Sequence, residues 1–358
     1  MAVIPVRSPL VVGSILNWNG GRDTIECLES VRQLDYPNYL TVVVDNGSWD
    51  DSVERIRAWA APSPGSSSAF VEYTREAALR GGGEAQEASL DATKSKKRLV
   101  LIRNEENLGF TAGNNVSIHY ALKRPRAAEY VFLLNNDTVL EEDCLTHLVG
   151  AAEKSGAGIV GAVVLDESGR HPIFNGRTTL VRQFFHPFVN WQLAPPQSDG
   201  EFWDSDSVHG GAMMIRSDVL GSVYSLQHHY LRDELFMYLD EAEFHYHVRK
   251  LGYRSVVARD AVVHHKGAHS SGGVENPMAY YYIERNRILV ASVVLPFGWK
   301  LVFHLINTPL GLARILKNAT RRRPRAAGAI LHGLFDGYRG VSGKWRLHDR
   351  EARRDADA

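Results

Sequence analysis

The sequence predicts an α/β protein with a mostly parallel central sheet flanked by helices and with a helical C-terminal extension. Through the first third of its 358 residues, short apolar runs alternate with amphipathic helical patterns, which is typical of βαβ units. With 44% hydrophobic and 23% charged residues, the chain can bury a sizeable core. Near the C-terminal end, the alternation gives way to a long apolar run and then a basic segment. At about 150 residues per domain, the length fits one large domain or two smaller ones.

The individual elements follow from the period and length of each apolar run. Buried strands are short and continuous, whereas helices are longer and repeat their apolar residues every three to four positions. Strands are predicted at 10–16, 41–44, 99–102 and 130–134, and helices at 24–34, 52–60 and 110–122. Further along, a helix at 240–251 ends before Gly252, a natural C-cap, and a short strand ends in His264 and His265.

Residues 62–97 interrupt the alternation because they are rich in Ser, Gly, Ala and charged residues. Such a composition offers little apolar surface for burial, so a flexible surface insertion with one short helix at 71–79 is predicted. The predicted domain boundary separates an α/β domain at 1–287 from a helical, basic region at 288–358.

Charge and cysteine content exclude several classes of protein. Lys plus Arg equals Asp plus Glu at 41 each, so no basic excess indicates nucleic-acid binding. Cys27 and Cys144 are the two cysteines, too few for a disulfide framework or a four-cysteine zinc site. Their scarcity fits a reducing compartment, and the first twelve residues lack the pattern of a secretory signal. We therefore expect a cytoplasmic protein.

The C-terminal region combines an apolar run at 288–306 with a basic segment. The run is interrupted by Pro296, Gly298, Lys300 and His304, and the segment 314–346 carries nine Lys or Arg against one acid, Asp336. A spanning helix needs about 20 mostly apolar residues, so two other interpretations stay open. The region lies peripherally on an anionic membrane surface, or it forms two buried helices with a solvated basic face.

Asn, Asp or Gly follows each predicted parallel strand, where ligands bind in open α/β sheets. The first strand leads into Asn17 and Asn19, the second into Asp45, and the third into Asn107. The fourth leads into Asn136 and then Asp137. Each group taken alone also fits an ordinary turn, but four in succession predict a ligand-binding edge.

Two positions are candidate metal ligands. A carboxylate at the end of a buried strand, as at Asp137, can hold a hard divalent cation, although the same residue also fits an Asx turn before an acidic helix start. His265 ends another strand, and neutral imidazole is a common ligand of transition metals. Together they predict a two-residue metal site.

Acidic residues at a helix start are candidates for proton transfer. Asp240 and Glu241 follow an aromatic and apolar stretch that ends in Tyr238-Leu239, which places them where an apolar wall meets a cleft and suits a general base. The structural alternative is a favourable interaction with the helix dipole. In the run from Asn107 to Asn115, Gly113 and Asn114 could let the backbone and an amide approach a ligand.

Common phosphate-binding and hydrolase motifs are absent from the sequence. No G-x-G-x-x-G follows the first strand, and neither G-x-x-x-x-G-K-[ST] nor G-x-S-x-G occurs. These absences disfavour dinucleotide-binding, P-loop and serine hydrolase proteins.

In ordered combination, these motifs resemble the family 2 glycosyltransferases, inverting enzymes of the GT-A (Rossmann-like) fold, and in particular their bacterial rhamnosyltransferase-like branch. The resemblance covers about residues 11–287 except the insertion. It includes Gly210-Gly211-Ala212-Met213, Arg249-Lys250-Leu251-Gly252-Tyr253 and the segment 281–287 as well as the motifs above.

The resemblance implies a role for each matching residue. Asp45 would accept a hydrogen bond from the base of a donor nucleotide, and Asn107, Gly113 and Asn114 would approach that nucleotide. Asn17, Asn19 and Asn136 complete the predicted donor site. Asp137 and His265 would bind a divalent ion, Mn²⁺ or Mg²⁺, that holds the diphosphate. Glu241 would be the catalytic base, with Asp240 beside it.

The implied activity is transfer of a sugar, with rhamnose as one candidate, in the synthesis of cell-surface polysaccharide. The donor would be a UDP- or dTDP-sugar and the acceptor a saccharide or a polyprenyl-linked sugar. A sugar-phosphate nucleotidyltransferase shares the sheet and the metal, and a non-catalytic carbohydrate-binding protein is a further alternative. A processive synthase is disfavoured because the sequence shows no clear spanning helix.

Overall fold

The computed structural model describes residues 8–61, 68–174, 177–178, 184, 192–193, 200–267 and 276–345. In its first half, strands alternate with helices. In chain order these are β1 (Val11–Asn17), α1 (Gly21–Gln33), β2 (Tyr39–Asn46), α2 (Ser52–Ala60), β3 (Ala69–Thr74), α3 (Arg75–Leu79), α4 (Glu84–Ala92), β4 (Arg98–Asn104), α5 (Gly109–Lys123) and β5 (Tyr130–Asn135). Apart from the segment 62–97, the strands and helices predicted up to residue 134 are therefore present, with bounds that differ by up to three residues.

The second half has shorter strands and longer helices. In chain order these are β6 (Thr138–Leu140), α6 (Cys144–Ser155), β7 (Ile159–Asp166), β8 (Pro172–Phe174), β9 (Arg177–Thr178), β10 (Gln192–Leu193), β11 (Phe202–Asp204), β12 (Ala212–Arg216), α7 (Ser217–Gln227), α8 (Asp240–Lys250), β13 (Ser255–His265), α9 (Pro277–Val294), α10 (Phe297–Thr320) and α11 (Pro324–Tyr338).

A single large sheet forms the centre of the molecule, in the order β11-β13-β7-β12-β5-β1-β2-β4-β3. The strands β5, β1, β2, β4 and β3 are parallel to one another. On the other side, β12 is antiparallel to both β5 and β7, whereas β13 is parallel to β7. The predicted α/β fold is confirmed, and its parallel half carries the strand ends that were predicted to bind a ligand.

The strand register aligns those ends. Asn17 is the register partner of Asp45, Leu16 that of Asn135, and Asn46 that of Asn104. Every residue of β2 is buried, as expected for a strand covered on both faces by helices. The polar residues that follow β1, β2, β4 and β5 therefore lie along one edge of the sheet.

The predicted flexible insertion at 62–97 is wrong for residues 68–97, which form β3, α3 and α4. The strand pairs in parallel with β4, so the helix predicted at 71–79 is a strand followed by a short helix. Glu87 of α4 is buried and accepts hydrogen bonds from Tyr73, Tyr120 and Arg124. This buried polar network stabilises the segment 68–97, whose composition offers little apolar surface for burial. Residues 62–67 lie outside the described residues.

The predicted boundary between residues 287 and 288 is also wrong, because it falls inside α9. This helix is continuous from Pro277 to Val294. Its second half packs with α10 and α11 around a separate apolar cluster that includes Ile288, Phe303 and Ile330. The apolar run predicted at 288–306 is divided between α9 and α10, and Pro296 is the N-cap of α10. No helix in the described ranges is both long and apolar enough to cross a bilayer.

Candidate active site

A cavity of about 320 Å³ opens at the carboxyl ends of the parallel strands. Its wall includes Asn107, Asn136 and Asp137 from the strand ends, together with His265, Asp240 and Glu241. A larger cavity of about 400 Å³ lies at the opposite ends of the strands, beside the first residues of β2, β3 and β4, and contacts no predicted site residue. The smaller cavity is therefore the candidate site.

The sheet brings the two predicted metal ligands together. The short strand β6 pairs with β13, so that Thr138 lies opposite His265. As a result, the Asp137 Oδ1 atom lies 3.1 Å from the His265 Nε2 atom, and the side chains are only 5% and 12% exposed. The Asn135 Nδ2 atom is 3.3 Å from the same ring nitrogen.

The chemistry of this pair fits a divalent ion. A carboxylate and an imidazole together suit ions such as Mn²⁺, which accept both oxygen and nitrogen ligands. The His265 Nδ1 atom is buried without a hydrogen-bond partner. Within the described ranges, no group of three or more His, Cys, Asp or Glu residues is arranged to hold a metal. An ion held by Asp137 and His265 would therefore take further ligands from substrate phosphates or water.

The two predicted catalytic carboxylates begin α8, which follows a loop with unusual backbone geometry. Phe236, Tyr238 and Leu239 all have positive φ angles, from 64° to 67°, a conformation that costs non-glycine residues energy and occurs often at functional sites. The loop directs both Asp240 and Glu241 to the cavity wall.

Burial raises the pKa of both carboxyl groups above their usual range. For Asp240, the neighbouring charges of Glu241 and Glu243 raise the pKa further. A carboxylate with a raised pKa is a stronger base, which suits removal of a proton from a hydroxyl group.

Two buried side chains of α9 hold the strained loop, and sequence reasoning gave them no role. The Asn286 Nδ2 atom donates to the carbonyl oxygens of Leu235, Met237 and Tyr238 at 3.0, 2.7 and 2.9 Å. The Arg285 guanidinium donates to the carbonyl oxygen of Leu235 at 2.9 Å and to the Asn286 Oδ1 atom at 2.9 Å. The sequence does show that Arg285 and Asn286 are adjacent within a mostly apolar helical segment, but this pattern does not indicate which backbone groups they bind.

Glycine is required where this loop approaches the end of β4. Gly109 has a φ of +83°, and a Cβ atom there would lie 2.5 Å from the Phe236 carbonyl oxygen. The Asn46 side chain holds the loop that follows β4. Its Nδ2 atom donates to the Asn107 Oδ1 atom and to the Gly109 carbonyl oxygen, both at 3.0 Å. The loop after β4 and the loop that precedes α8 therefore support each other.

Three other predicted donor-site residues, Asn17, Asn19 and Asp45, lie beside the cavity and are not part of its wall. The Asn17 Nδ2 atom donates to the Asp45 Oδ1 atom at 2.8 Å and to the Ser48 Oγ atom at 3.1 Å. The Asn19 backbone N–H donates to the same hydroxyl at 2.9 Å. This network connects the ends of β1 and β2, while Asn136 connects β5 to α1 through Thr24.

The structure does not bring Gly113 or Asn114 to the cavity. Both lie within α5, where a Cβ atom at Gly113 would be 2.6 Å from the Leu16 side chain. The Asn114 Nδ2 atom donates to the Phe110 carbonyl oxygen of its own helix at 2.9 Å. In the structure both residues pack α5 against β1, and their role in donor binding stays a prediction.

His209 is a site residue that sequence reasoning missed. It lines the cavity, and its ring centre is 5.6 Å from that of His265. Burial, with a contribution from His265, lowers the pKa of His209 to about 4, so its ring is neutral near pH 7. The signal was its position directly before Gly210-Gly211 and the buried strand β12.

Solved structures define the class of fold. The mannosyltransferase PcManGT from Pyrobaculum calidifontis, solved with GDP-Man and Mn²⁺, superposes with a TM-score of 0.55 at 14% identity, over 93% of this chain and 88% of that one. Residues 1–349 of S. aureus TarS, solved with UDP-GlcNAc, superpose with a TM-score of 0.52 at 14% identity, over 90% and 81%. The fold is GT-A, as predicted.

The family comparison is more specific. Residues 82–223 match the model of glycosyl transferase family 2, which confirms the predicted resemblance to that family, while the rhamnosyltransferase-like branch stays a prediction. The hexosyltransferase Agl10 of low-salt glycan biosynthesis in Haloferax volcanii is 27% identical over 195 residues, which are 52% of this chain and 58% of that protein. Hyaluronan synthase 2 of Mus musculus is 24% identical over 131 residues, 36% and 24% respectively. The chain thus spans less than two thirds of the curated relatives that it matches.

Proposed function

We propose that this protein is a metal-dependent, inverting hexosyltransferase that transfers a sugar from a nucleotide-diphosphate donor to a hydroxyl group of an acceptor. The observation that carries the proposal is that one cavity is lined by the Asp137–His265 pair and also by the Asp240–Glu241 pair. The first pair can hold a divalent ion that binds a diphosphate, and the second can remove a proton from a hydroxyl group.

In the proposed reaction, one pair of residues binds the metal ion and the other transfers a proton. Asp137 and His265 hold the divalent ion, which when bound supplies Lewis-acid stabilisation of the diphosphate leaving group. Glu241 accepts the proton of the acceptor hydroxyl as that oxygen attacks the anomeric carbon, a role worth about 10²–10⁴-fold. Attack opposite the leaving group inverts the anomeric centre without a covalent intermediate.

Relatives support the choice of substrates without fixing them. Agl10 is described as a hexosyltransferase, and two superposed structures contain GDP-Man or UDP-GlcNAc. We propose a UDP- or dTDP-sugar as donor, with rhamnose among the candidate sugars. The proposed acceptor is a saccharide or a polyprenyl-linked sugar for cell-surface polysaccharide, and the proposed location is the cytoplasm.

Analysis of the products tests this proposal. The full chain is incubated with a panel of nucleotide sugars and Mn²⁺ or Mg²⁺, and the released nucleotides are separated by chromatography. Transfer or donor hydrolysis releases a nucleoside diphosphate, whereas release of pyrophosphate from a nucleoside triphosphate and a sugar phosphate would indicate a nucleotidyltransferase. Saccharide binding without any release would indicate a binding protein. The anomeric proton signal of the product reports inversion.

A matched pair of variants links the activity to the cavity. Glu241 and Glu243 lie in the same helical turn, but Glu243 pairs with Arg232 at 3.3 Å and is not part of the cavity wall. We expect Glu241→Gln to lose release of the diphosphate and Glu243→Gln to retain it. Equal activity of the two variants would contradict the proposal.

A further inference from the structure

The helix α10 exposes a continuous apolar face. Leu301, Leu305, Leu312 and Leu316 are 61%, 67%, 57% and 66% exposed. Their spacings of four, seven and four residues place them on one side of the helix. The other side buries Phe303, and Gly311 there contacts Leu334 of α11.

The neighbouring helix α11 extends the exposed apolar surface. It runs antiparallel to α10, because Gly311 lies against Leu334 while His304 lies against Tyr338. Leu331, Phe335 and Tyr338 of α11 are each about half exposed. Soluble monomers seldom expose contiguous apolar patches of such extent unless the patch binds something. We call the exposed leucines of α10 and these three residues the apolar face.

The charges along α10 and in the turn to α11 are all positive, and the one acid of α11, Asp336, accepts a hydrogen bond from the Tyr281 hydroxyl at 2.7 Å. No acidic residue occurs between Glu284 and Asp336, and α10 itself contains none. Exposed cations follow at the end of α10 and in the turn to α11, namely Lys317, Arg321, Arg322 and Arg325. The Arg314 side chain is excluded from this group because its Nε atom pairs with Glu284 at 2.7 Å.

We propose that the apolar face and the adjoining cations dock the protein on an anionic lipid bilayer. An amphipathic helix with apolar residues on one side and cations beside them lies in the plane of a membrane interface. Phosphate headgroups complement the unbalanced cations. A second copy of this chain fits less well, because its cations would meet these ones without an acid to compensate.

This docking goes beyond the proposed function and does not depend on it. The two are linked through α9, because its Asn286 holds the loop that precedes α8 and its later residues pack against α10 and α11. If the proposed function holds, a surface that binds the bilayer also brings the cavity to an acceptor anchored there.

Sedimentation with vesicles tests the docking without any measure of activity. The full chain is mixed with vesicles of phosphatidylcholine alone or of phosphatidylcholine with phosphatidylglycerol, and the pelleted fraction is measured. We expect pelleting with the anionic vesicles at low salt and partial release at high salt, because salt screens exposed charges. Equal recovery in the supernatant with both kinds of vesicle would overturn the proposal.

Matched variants separate the contributions of charge and of apolar insertion. The triple change R321Q/R322Q/R325Q removes three exposed cations next to the apolar face, whereas K94Q/K96Q/K97Q removes three exposed cations elsewhere. Each engaged cation contributes roughly a fivefold factor in partitioning, so the first triple should lose about a hundredfold and the second little. Equal losses would overturn the assignment of the surface.

The apolar contribution is tested with Leu305→Ser and Leu312→Ser combined, against Leu226→Ser on α7. Leu226 is also about half exposed, so its change controls for the loss of an exposed leucine. We expect the double variant to lose about tenfold or more in partitioning and the control to bind as wild type does. If the wild-type chain is instead a dimer by light scattering that the double variant converts to monomer, with no vesicle binding, the surface is a self-association interface and the proposal fails.

Discussion

Replacing Asn286 by alanine tests how the loop that carries the catalytic carboxylates is held. The two N–H groups of the Asn286 amide serve three carbonyl oxygens of the loop, and its own oxygen accepts from Arg285. The loop itself is unfavourable in isolation, since three of its residues have positive φ angles. We therefore expect Asn286→Ala to release the loop.

The size of the effect follows from these contacts. Because an amide has only two N–H groups, the change removes two donated hydrogen bonds and one accepted one. At about 1 kcal/mol for each, the loop loses about 3 kcal/mol of local stability. A loss of about 3 kcal/mol corresponds to roughly a hundredfold increase in the population of the open loop. The fold should survive, because the main apolar core surrounds the sheet.

Hydrogen exchange measured by mass spectrometry reports the loop directly. We expect peptides that cover residues 235–241 to exchange roughly a hundredfold faster in Asn286→Ala, and turnover to fall at temperatures well below unfolding. The matched control is Asn307→Ala, because Asn307 is also a buried asparagine of the C-terminal helices but its Nδ2 atom has no hydrogen-bond partner.

Unchanged exchange of residues 235–241 in Asn286→Ala would refute this reasoning. Equal acceleration in Asn286→Ala and Asn307→Ala would also refute it, because the effect would then follow from general loosening of the helices.

The remaining predictions concern three carboxyl groups, those of Glu87, Asp240 and Glu241. Glu87→Ala removes the shared acceptor of Tyr73, Tyr120 and the buried Arg124, and leaves Asp91 as the remaining carboxylate on Arg124. The free energy of unfolding in urea should therefore fall by about 3 kcal/mol; a change below about 0.5 kcal/mol would mean that α4 does not contribute to the core. Folding raises the pKa of Asp240, so ionisation of this group destabilises the fold as the pH rises above the pKa that Asp240 has in the unfolded chain. Asp240→Asn should therefore raise the melting temperature near pH 7, with a gain that shrinks towards pH 4. A change in melting temperature that does not depend on pH would contradict this. Glu241→Gln should lower kcat by about 10²-fold or more while donor affinity is kept, and near-normal turnover, with Asp240→Asn inactive, would assign the base to Asp240.

Local sequence patterns predicted the parallel half of the fold well. Its strands are continuous apolar runs, and each ends in polar residues that the register aligns, as Asn17 with Asp45. These features depend on residues close together in the chain. The segment 68–97 was mispredicted because its burial depends on a polar network, in which Glu87 contacts Tyr120 and Arg124 far along the chain.

In the candidate site, too, some features follow from local sequence and others depend on contacts between distant parts of the chain. Asp137 and His265 were predicted from their positions at strand ends, but their contact depends on the pairing of β6 with β13 across more than a hundred residues. Gly113 and Asn114 lie outside the cavity wall, and the sequence could not show this because a glycine and an amide in a helix serve close packing as readily as ligand binding. Asn286 had no sequence signal that distinguished a loop support from any other buried polar residue.

Metal-dependent binding of the donor tests the central claim most directly. Isothermal titration calorimetry measures the affinity of the nucleotide sugar selected by the product screen, with Mn²⁺ or with EDTA, for the wild type, Asp137→Ala and Glu241→Gln. The assignment of Asp137 to the ion and of Glu241 to proton transfer predicts that Mn²⁺ strengthens binding to the wild type and to Glu241→Gln but has no effect on Asp137→Ala. Donor binding by Asp137→Ala that Mn²⁺ strengthens as much as in the wild type would contradict it.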